Sequence, residues 1–498
     1  MTTLAPDPFW PQLWNGLVGM AACLLAACLI SSNRRAIDWR LVVSGLCLQT
    51  ALAAFALRLP IGRAFFHVMG QGVEKLLSFS QQGAGFVFGP LVSDKTAMTT
   101  IFGPAGRFIL GFELVATIIF IAALSSIAYH IGLMQRLVSL MAWLVYRLMG
   151  ASGAEALSNS ASVFVGQIES QLLIQPYLAT MTRSELLAVM AGSMACIAGG
   201  VMAIYIQLGI PAEYLMAASL MAIPGALVIA KIALPETESS LTRGQVRMTI
   251  QRASVNLIDA AAQGAVDGLR IGLNVCAVLI AFLALLALGD FVIGQAGRAL
   301  AGWLIKPGAA SAVFWGLDLN HVSLSGIFGV VFSGVARLLG VCAEDARNVG
   351  ALMGVKLAAN EFVAYAQLAP QIAARTLEPK SIAIASIALC GFANFGSVAM
   401  QIGGIGEMAP SRRHDLARLG LLALTCGTLA SYMAAALAGV LFQPPALSTG
   451  SGAGSGEDPL IPVGIIVVAL LGVVISRRLP APNLSGESSR AIAKTDGA

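Results

Sequence analysis

The feature that most constrains this chain is a set of continuous apolar runs long enough to cross a membrane. Runs of about 18 apolar residues indicate transmembrane helices, and the chain has several, among them 108–133, 271–293 and 417–442. Of its 498 residues, 57% are hydrophobic and only 11% are charged, whereas soluble proteins carry roughly a quarter charged residues. The runs do not alternate with period two, which favours a helix bundle over a β-barrel. The sequence therefore predicts an all-α polytopic membrane protein.

Several other protein classes lack support in the sequence. The eight cysteines lie almost all within apolar runs, and no CxxC, HExxH or GxSxG pattern occurs, so neither a metal site nor a nucleophilic enzyme is indicated. A net charge of +5 is typical of the basic cytoplasmic loops of a membrane protein. We expect no enzymatic activity, no cofactor, no metal and no nucleic-acid partner. We expect the protein to be surrounded by membrane lipid.

The order of the apolar and polar segments divides the chain into five parts. These are residues 1–107, with two N-terminal spans and an interfacial helix; 108–235, a first transport repeat with hairpin 1; 236–269, a cytoplasmic linker; 270–443, a second transport repeat with hairpin 2; and 444–498, a flexible linker, an extra C-terminal span and a polar tail.

Basic residues after the first span predict the orientation. Arg34, Arg35 and Arg40 place that loop in the cytoplasm, so the N-terminus is expected outside. The absence of long terminal domains favours a bacterial inner membrane, which the chain would cross several times.

An internal repeat joins the second and fourth parts. The stretch "YRLMGASGAEA" (146–156) resembles "ARLLGVCAEDA" (336–346), and each is followed about twenty residues later by a glutamate, Glu169 and Glu361. Two copies of an interfacial helix, an interrupted polar segment and a small-residue helix form the pattern of a secondary transporter. Chance similarity between Gly- and Ala-rich segments is the alternative.

Polar residues at membrane depth concentrate in these two copies. The first supplies Gln167 and Glu169, and the second supplies Asn360, Glu361, Asn394 and Ser397. Intramembrane carboxylates are costly and usually functional. Amides suit the edge of a nucleobase, while a carboxylate can accept from paired ribose hydroxyls or take up a proton. Glu113 and Glu155, by contrast, are interpreted as structural carboxylates paired with arginines.

Several motifs in order give the chain a family resemblance. "FVGQIES", "MTRSELLAVMAGSMACIAGGVMA", "LPETE", "ANEFVAY", "ALCGFANFGSVA" and "GEMAPSRRHDLARLG" together resemble the concentrative nucleoside transporter family over residues 13–442. The resemblance implies an inverted-repeat transporter with two re-entrant helical hairpins. It further implies a scaffold plus a transport domain and a homotrimer in which each protomer has its own pathway.

The same resemblance implies roles for individual residues. Gln167 and Glu169 would bind the base, and Glu361, Asn394 and Ser397 would bind the ribose. Phe392 and Val201 would line the pocket of the nucleoside substrate.

Departures from the family pattern bear on base selection and on the coupling ion. The family's usual GQTEAP is GQIESQ here, so Ile168 replaces a hydroxyl beside the base. Sodium-coupled members have Asn at the position of Ser162 and Ser at that of Cys196, which leaves mainly the backbone carbonyls of Val165, Cys196 and Ile197. A thiol is a poor ligand for a hard cation.

We therefore predict a proton-coupled symporter, with sodium as the alternative. The proton carrier would be Glu169 or Glu361. Glu169 is the first candidate, because a carboxyl group in apolar surroundings is protonated more easily.

Three other functions remain open at this stage. A modified nucleoside or related heterocycle could be the substrate of the same fold, with sodium coupling. A channel would need polar rings along a pore, where the sequence shows two non-identical half-sites. An intramembrane enzyme would need a nucleophile or metal motif.

Overall fold

A computed structural model describes residues 9–103, 109–242, 254–304, 313–314, 317–318 and 321–442, together with Gly472, Val473 and Ser476. Helices make up nearly all of these residues, and we number them in chain order. They are α1 (Phe9–Leu29), α2 (Trp39–Leu57), α3 (Pro60–Phe88), α4 (Pro90–Ser93), α5 (Lys95–Phe102), α6 (Leu110–His130), α7 (Leu133–Met149), α8 (Gly153–Ser162), α9 (Glu169–Leu172), α10 (Gln175–Leu178), α11 (Arg183–Ala195), α12 (Gly199–Gln207), α13 (Ala212–Ala233), α14 (Leu257–Leu304), α15 (Leu324–Leu338), α16 (Ala346–Ala358), α17 (Glu361–Ala373), α18 (Pro379–Leu389), α19 (Phe395–Met408) and α20 (Arg413–Leu441). Two short strands, Val313–Phe314 and Leu317–Asp318, pair antiparallel.

Six helical segments within the described residues are long and apolar enough to cross a membrane. They are Trp39–Leu57, Gly111–His130, Arg183–Gln207, Ala212–Ala233, Leu257–Trp303 and Pro410–Leu441. A helix satisfies its own backbone hydrogen bonds, which is what a chain in lipid requires. This agrees with the multi-pass membrane protein predicted from the apolar runs.

The order of elements in the first half recurs in the second. Amphipathic α7, the helical hairpin α8–α10 and the interrupted helix α11–α12 are followed by long α13. Likewise, α15, the hairpin α16–α17 and the interrupted helix α18–α19 are followed by long α20. We call α8–α10 hairpin 1 and α16–α17 hairpin 2. The two interrupted helices both end their first half at a cysteine C-cap, Cys196 and Cys390.

Helix α14 starts earlier than the polarity of the sequence suggests. It begins at Leu257, inside the segment 236–269 predicted as a linker. The reason is a row of glycines, Gly264, Gly268 and Gly272, that lies directly on α6. A Cβ atom at Gly264 or Gly268 would come within 2.7 Å of the α6 backbone. Small residues four apart allow this close helix packing.

Buried charges join hairpin 1 to the neighbouring helices. Lys231 at the end of α13 forms ion pairs with Glu155 (2.6 Å) and Glu236 (3.2 Å). Glu113 on α6 pairs with Lys95 at 3.7 Å and accepts from Gln207 at 3.0 Å. Both glutamates are therefore paired as expected, but the prediction of arginine partners was wrong. The partner in each case is a lysine.

The predicted C-terminal extra span lies mostly outside the described residues. Within it, the Ser476 carbonyl accepts from Arg40 Nε at 3.2 Å, and Gly472 lies against Cys47. Both contacts are with α2, so this part of the tail packs on that helix.

Candidate functional site

The tip of hairpin 1 is formed by the loop between Ser162 and Glu169. Gly166 in this loop has φ +130°, a backbone conformation that side chains rarely adopt. A Cβ atom there would lie 2.5 Å from Glu169 Oε2. Glycine thus lets the loop turn and lets the Glu169 carboxylate lie against the backbone at the start of α9.

Gln167 reaches from this loop to α19. Its Nε2 lies 3.7 Å from Met400 Sδ, and its side chain is only 7% exposed. Its Oε1 is buried and has no hydrogen-bond partner among the described residues. Buried polar atoms are nearly always hydrogen-bonded, so the Gln167 amide is prepared to accept from a ligand.

The side chain of Ile168 contacts a different turn of α19 from the side chain of Gln167. Its side chain packs on Gly404, where an added Cβ would come within 2.8 Å of it. The residue that replaces the family's threonine therefore contacts a later turn of α19.

Hairpin 2 carries the second carboxylate at its own tip. Asn360 caps α17 by accepting from the Val363 N–H at 2.9 Å, which places Glu361 in the first turn. Glu361 is 5% exposed. Its Oε1 accepts from Tyr205 Oη at 3.1 Å, and its Oε2 accepts from Asn394 Nδ2 at 3.1 Å.

The break between α18 and α19 positions the remaining ribose candidates. Asn394 caps α19 by accepting from the Ser397 N–H at 2.9 Å, so its amide is fixed from both sides. Ser397 is fully buried, and its Oγ has no partner among the described residues. Phe392 is half-buried, and its N–H donates to the Cys196 carbonyl at 3.3 Å.

All of these groups converge on the N-terminal half of α19. Glu361 binds Asn394 at the cap, and Gln167 contacts Met400, six residues further along. Six residues of helix span about 9 Å. The half-buried Val201 lies on α12, one turn before Tyr205. The site therefore suits an elongated ligand with hydrogen-bonding groups at both ends.

The predicted cation residues lie beside hairpin 1. Ser162 Oγ donates to the Asn159 carbonyl at 2.9 Å and also contacts the Cys196 thiol. Val165 and Ile197 are close by in the chain, and the Gly199 N–H donates to the Phe164 carbonyl at 3.3 Å. The structure thus brings Ser162 and Cys196 together, at the point where the hairpin tip meets the break in α11–α12. Within the described residues, no group of three or more His, Cys, Asp or Glu could hold a metal ion.

Two aspects of the site differ from the sequence-based interpretation. Glu169 is exposed on the single chain, whereas Glu361 is buried, so Glu361 is the more buried of the two candidate proton carriers. Tyr205 and Met400 belong to the site and were not anticipated. Only Tyr205 had a signal, because it follows Val201 by one turn of the same helix.

The fold and the site together define a secondary transporter: a helical membrane protein in which two hairpins and two interrupted helices surround buried amides and carboxylates. Comparison with known sequences is more specific. Residues 18–91 and 214–439 match the N-terminal and C-terminal parts of the "Na+ dependent nucleoside transporter" family, and 112–212 match a "nucleoside recognition" gate domain.

Individual relatives agree with this match. The chain is 38% identical to the nucleoside permease NupC of Helicobacter pylori, over 85% of this chain and 96% of the permease. It is 40% identical to the uncharacterized transporter YutK of Bacillus subtilis, over 86% and 99%. It is also 36% identical to sodium/nucleoside cotransporter 1 of Mus musculus, over 87% of this chain and 64% of that protein.

Solved structures are similar over the same length. The transporter CNTnw in an inward-facing substrate-bound state matches with a TM-score of 0.77 and 39% identity, over 86% of this chain and 98% of CNTnw. A variant of CNTnw in an outward-facing state matches with a TM-score of 0.78.

The chain belongs to the concentrative nucleoside transporter family, which is a family of membrane transporters and not of enzymes. The predicted fold class is confirmed: an all-α polytopic membrane protein with an inverted repeat, two re-entrant helical hairpins, and a scaffold plus a transport domain.

Proposed function

We propose that this chain imports nucleosides across the bacterial inner membrane by alternating access, coupled to a proton. The observation that carries the proposal is the convergence of two kinds of polar group on α19. Gln167 contacts Met400 on one turn, and Glu361 binds Asn394 at the cap. A base and a ribose present their hydrogen-bonding groups at opposite ends of one molecule.

The two ends of the site divide the recognition. Gln167 has one amide oxygen without a partner, and Glu169 lies two residues away, so these residues bind the base edge. Glu361, Asn394 and Ser397 bind the ribose, because a carboxylate fixed by two donors and a free hydroxyl can accept from and donate to adjacent hydroxyls. Phe392 and Val201 line the space between them.

Alternating access is supported by the relatives and by the architecture. CNTnw has been solved in inward-facing and outward-facing states, and repeat transporters rock one unit against another around a central site. Apart from the linker, which α14 shortens at Leu257, the division of the chain remains part of this proposal, with hairpin 1 in 108–235 and hairpin 2 in 270–443. We also propose an external N-terminus and a homotrimer. Exposed apolar side chains on α14, such as Ile280 and Trp303, are available to lipid or to a second copy.

Proton coupling is supported by the groups around Ser162. Its hydroxyl is in contact with the Cys196 thiol. Sodium needs several hard ligands, and this pair of side chains offers it one oxygen and one soft sulfur. Glu169 is the proposed carrier because it is exposed and can exchange protons with water, whereas Glu361 is held by Tyr205 and Asn394.

Sodium coupling is the second candidate. It is favoured by the family description and by the sodium/nucleoside cotransporter of mouse. Uptake of radiolabelled uridine and adenosine into proteoliposomes, with proton and sodium gradients imposed separately, decides between the two. Accumulation driven by the proton gradient alone is expected, while accumulation only with sodium contradicts the proposed coupling ion. If neither nucleoside enters under either gradient, the substrate class is wrong.

A double substitution tests the coupling ion by introducing sodium ligands. Ser162→Asn with Cys196→Ser supplies an amide and a hydroxyl to the position where sodium-coupled relatives have them. The variant is expected to gain a sodium-dependent component of uridine uptake that the unmodified chain lacks. Cys426→Ser, on the buried face of α20, is the matched control and is expected to gain none.

A further inference from the structure

Hairpin 2 contains a buried lysine, Lys356, that has no carboxylate partner among the described residues. Lys356 is 1% exposed, and its Nζ donates to the Ala388 carbonyl at 2.9 Å. Among the described residues, no carboxylate oxygen lies close enough to the Lys356 Nζ to form an ion pair. An ammonium buried against a carbonyl alone is costly, so its position calls for an explanation.

The ammonium lies where two helices end. Lys356 is in the last turn of α16, and Ala388 is in the last turn of α18, two residues before the C-cap Cys390. Helix C-termini carry partial negative charge. In transporters with interrupted helices, such half-helix ends bind the coupling cations. Lys356 therefore places a covalently attached cation at a point that is built to attract one.

Hairpin 1 has the same arrangement without the lysine. Ser162 is the last residue of α8, and Cys196 is the C-cap of α11; the two side chains are in contact. The two cysteines also meet the same residue of α13, because Cys196 Sγ lies 4.0 Å from the Ser219 carbonyl and Cys390 Sγ lies 3.8 Å from Ser219 Oγ. Ser162 and Lys356 thus both lie in the last turn of the first helix of their hairpin, beside the break in the interrupted helix that follows.

The positive charge also acts on the ribose end of the site. Glu361 follows Lys356 by five residues across the hairpin tip, and both side chains bind the break between α18 and α19: Lys356 donates to the Ala388 carbonyl at 2.9 Å, and Glu361 accepts from Asn394 at 3.1 Å. The direct partners of Glu361 are the neutral donors Tyr205 and Asn394. Of the charged side chains described around this carboxylate, Lys356 is the one that offsets its charge.

We propose that Lys356 is a positioning residue: a fixed counter-charge for Glu361, placed where α16 and α18 of the second repeat end. It holds Glu361 as an anionic acceptor for the ribose hydroxyls. This inference rests on the proposed function. The alternative is that Lys356 only caps α18 and stabilises the fold.

The binding of two ligands distinguishes a counter-charge for Glu361 from a cap of α18. Uridine and 2′,3′-dideoxyuridine are titrated onto the purified full-length chain, unmodified and carrying Lys356→Met or Lys356→Arg. Lys356→Met is expected to lower uridine affinity about tenfold, the effect of losing one charged hydrogen bond. The affinity of Lys356→Met for dideoxyuridine is expected to equal that of the unmodified chain. Lys356→Arg keeps the positive charge and is expected to bind uridine as tightly as the unmodified chain. Equal losses for both ligands, or no loss for either, overturn the proposal.

A second measurement does not depend on the substrate. The Tm in detergent is compared for Lys356→Met, Glu361→Gln and the double variant. If Lys356 offsets the charge of Glu361, the Tm loss caused by Lys356→Met is at least halved in the Glu361→Gln background. The same loss in both backgrounds shows a cap only and contradicts the proposal. Failure of the unmodified chain to bind uridine would instead contradict the proposed function, and the Tm comparison would still decide the role of Lys356.

Discussion

The two hairpins each carry one carboxylate at the tip, and the surroundings of these carboxylates are opposite. Glu361 is buried, is held by Tyr205 and Asn394, and has Lys356 as a counter-charge. Glu169 is exposed and lies against its own loop. A repeated fold has thus produced one fixed carboxylate and one that is free to change its charge. We infer that the first recognises substrate and the second couples transport to the cation.

Lys231 and Lys356 are both buried, but Lys231 has carboxylate partners and Lys356 has a carbonyl, and removing Lys231 is the largest expected effect. Lys231 pairs with Glu155 and Glu236 at the base of hairpin 1. Lys231→Met leaves the buried Glu155 without its counter-charge, with the Ser152 N–H as its remaining donor, which costs about 3–5 kcal/mol. We expect a large fall in Tm and in folded yield. If the variant kept the Tm of the unmodified chain, the ion pair would be dispensable. Lys75→Met is the control, because Lys75 is exposed on α3.

Replacing Glu361 tests the fixed carboxylate. Glu361→Gln removes the charged acceptor, and hydrogen bonds to charged groups contribute about 1.5–3 kcal/mol. We expect uridine affinity to fall roughly 10- to 100-fold, as measured by equilibrium binding. An unchanged affinity would place the ribose elsewhere.

Tyr205 tests how the same carboxylate is held. Tyr205→Phe removes the hydroxyl that donates to Glu361, at a cost of about 1 kcal/mol, so uridine should bind about fivefold more weakly. Tyr365→Phe is the matched control, since that hydroxyl donates to the Ser386 carbonyl instead. Equal effects of the two substitutions on uridine binding would show that packing, not Glu361, is responsible.

Ile168 gives the smallest expected effect. Because its side chain packs on Gly404, Ile168→Thr should change the ratio of uridine to adenosine uptake by less than about twofold, well within 1 kcal/mol. Competition between the two labelled nucleosides measures this ratio. A large shift would show that residue 168 contacts the base after all.

Much of this architecture could be predicted from the sequence because membrane helices and repeats leave long patterns. The hairpin residues Gln167, Glu169 and Glu361 were visible because polar side chains are rare in apolar runs. The start of α14 was missed, since its packing depends on Gly264 and Gly268 meeting α6.

Tertiary contacts determine what the sequence could not show. An aromatic residue in an apolar helix is usually packing, so its position one turn after Val201 does not mark Tyr205 as the partner of a carboxylate 156 residues away. The exposure of Glu169 and the orientation of Ile168 depend on how the loop at Gly166 turns. These are properties of the folded hairpin.

The most direct test of the division between the hairpins compares two transport modes in the same proteoliposomes. Gradient-driven accumulation of uridine requires coupling, whereas counterflow of labelled against unlabelled uridine requires only binding and movement. We predict that Glu169→Gln abolishes accumulation and keeps counterflow, because the amide cannot carry the proton but can still hydrogen-bond the base. Glu361→Gln is expected to reduce both modes strongly, because it weakens uridine binding. Accumulation by Glu169→Gln, or counterflow by Glu361→Gln, at the level of the unmodified chain would contradict the account.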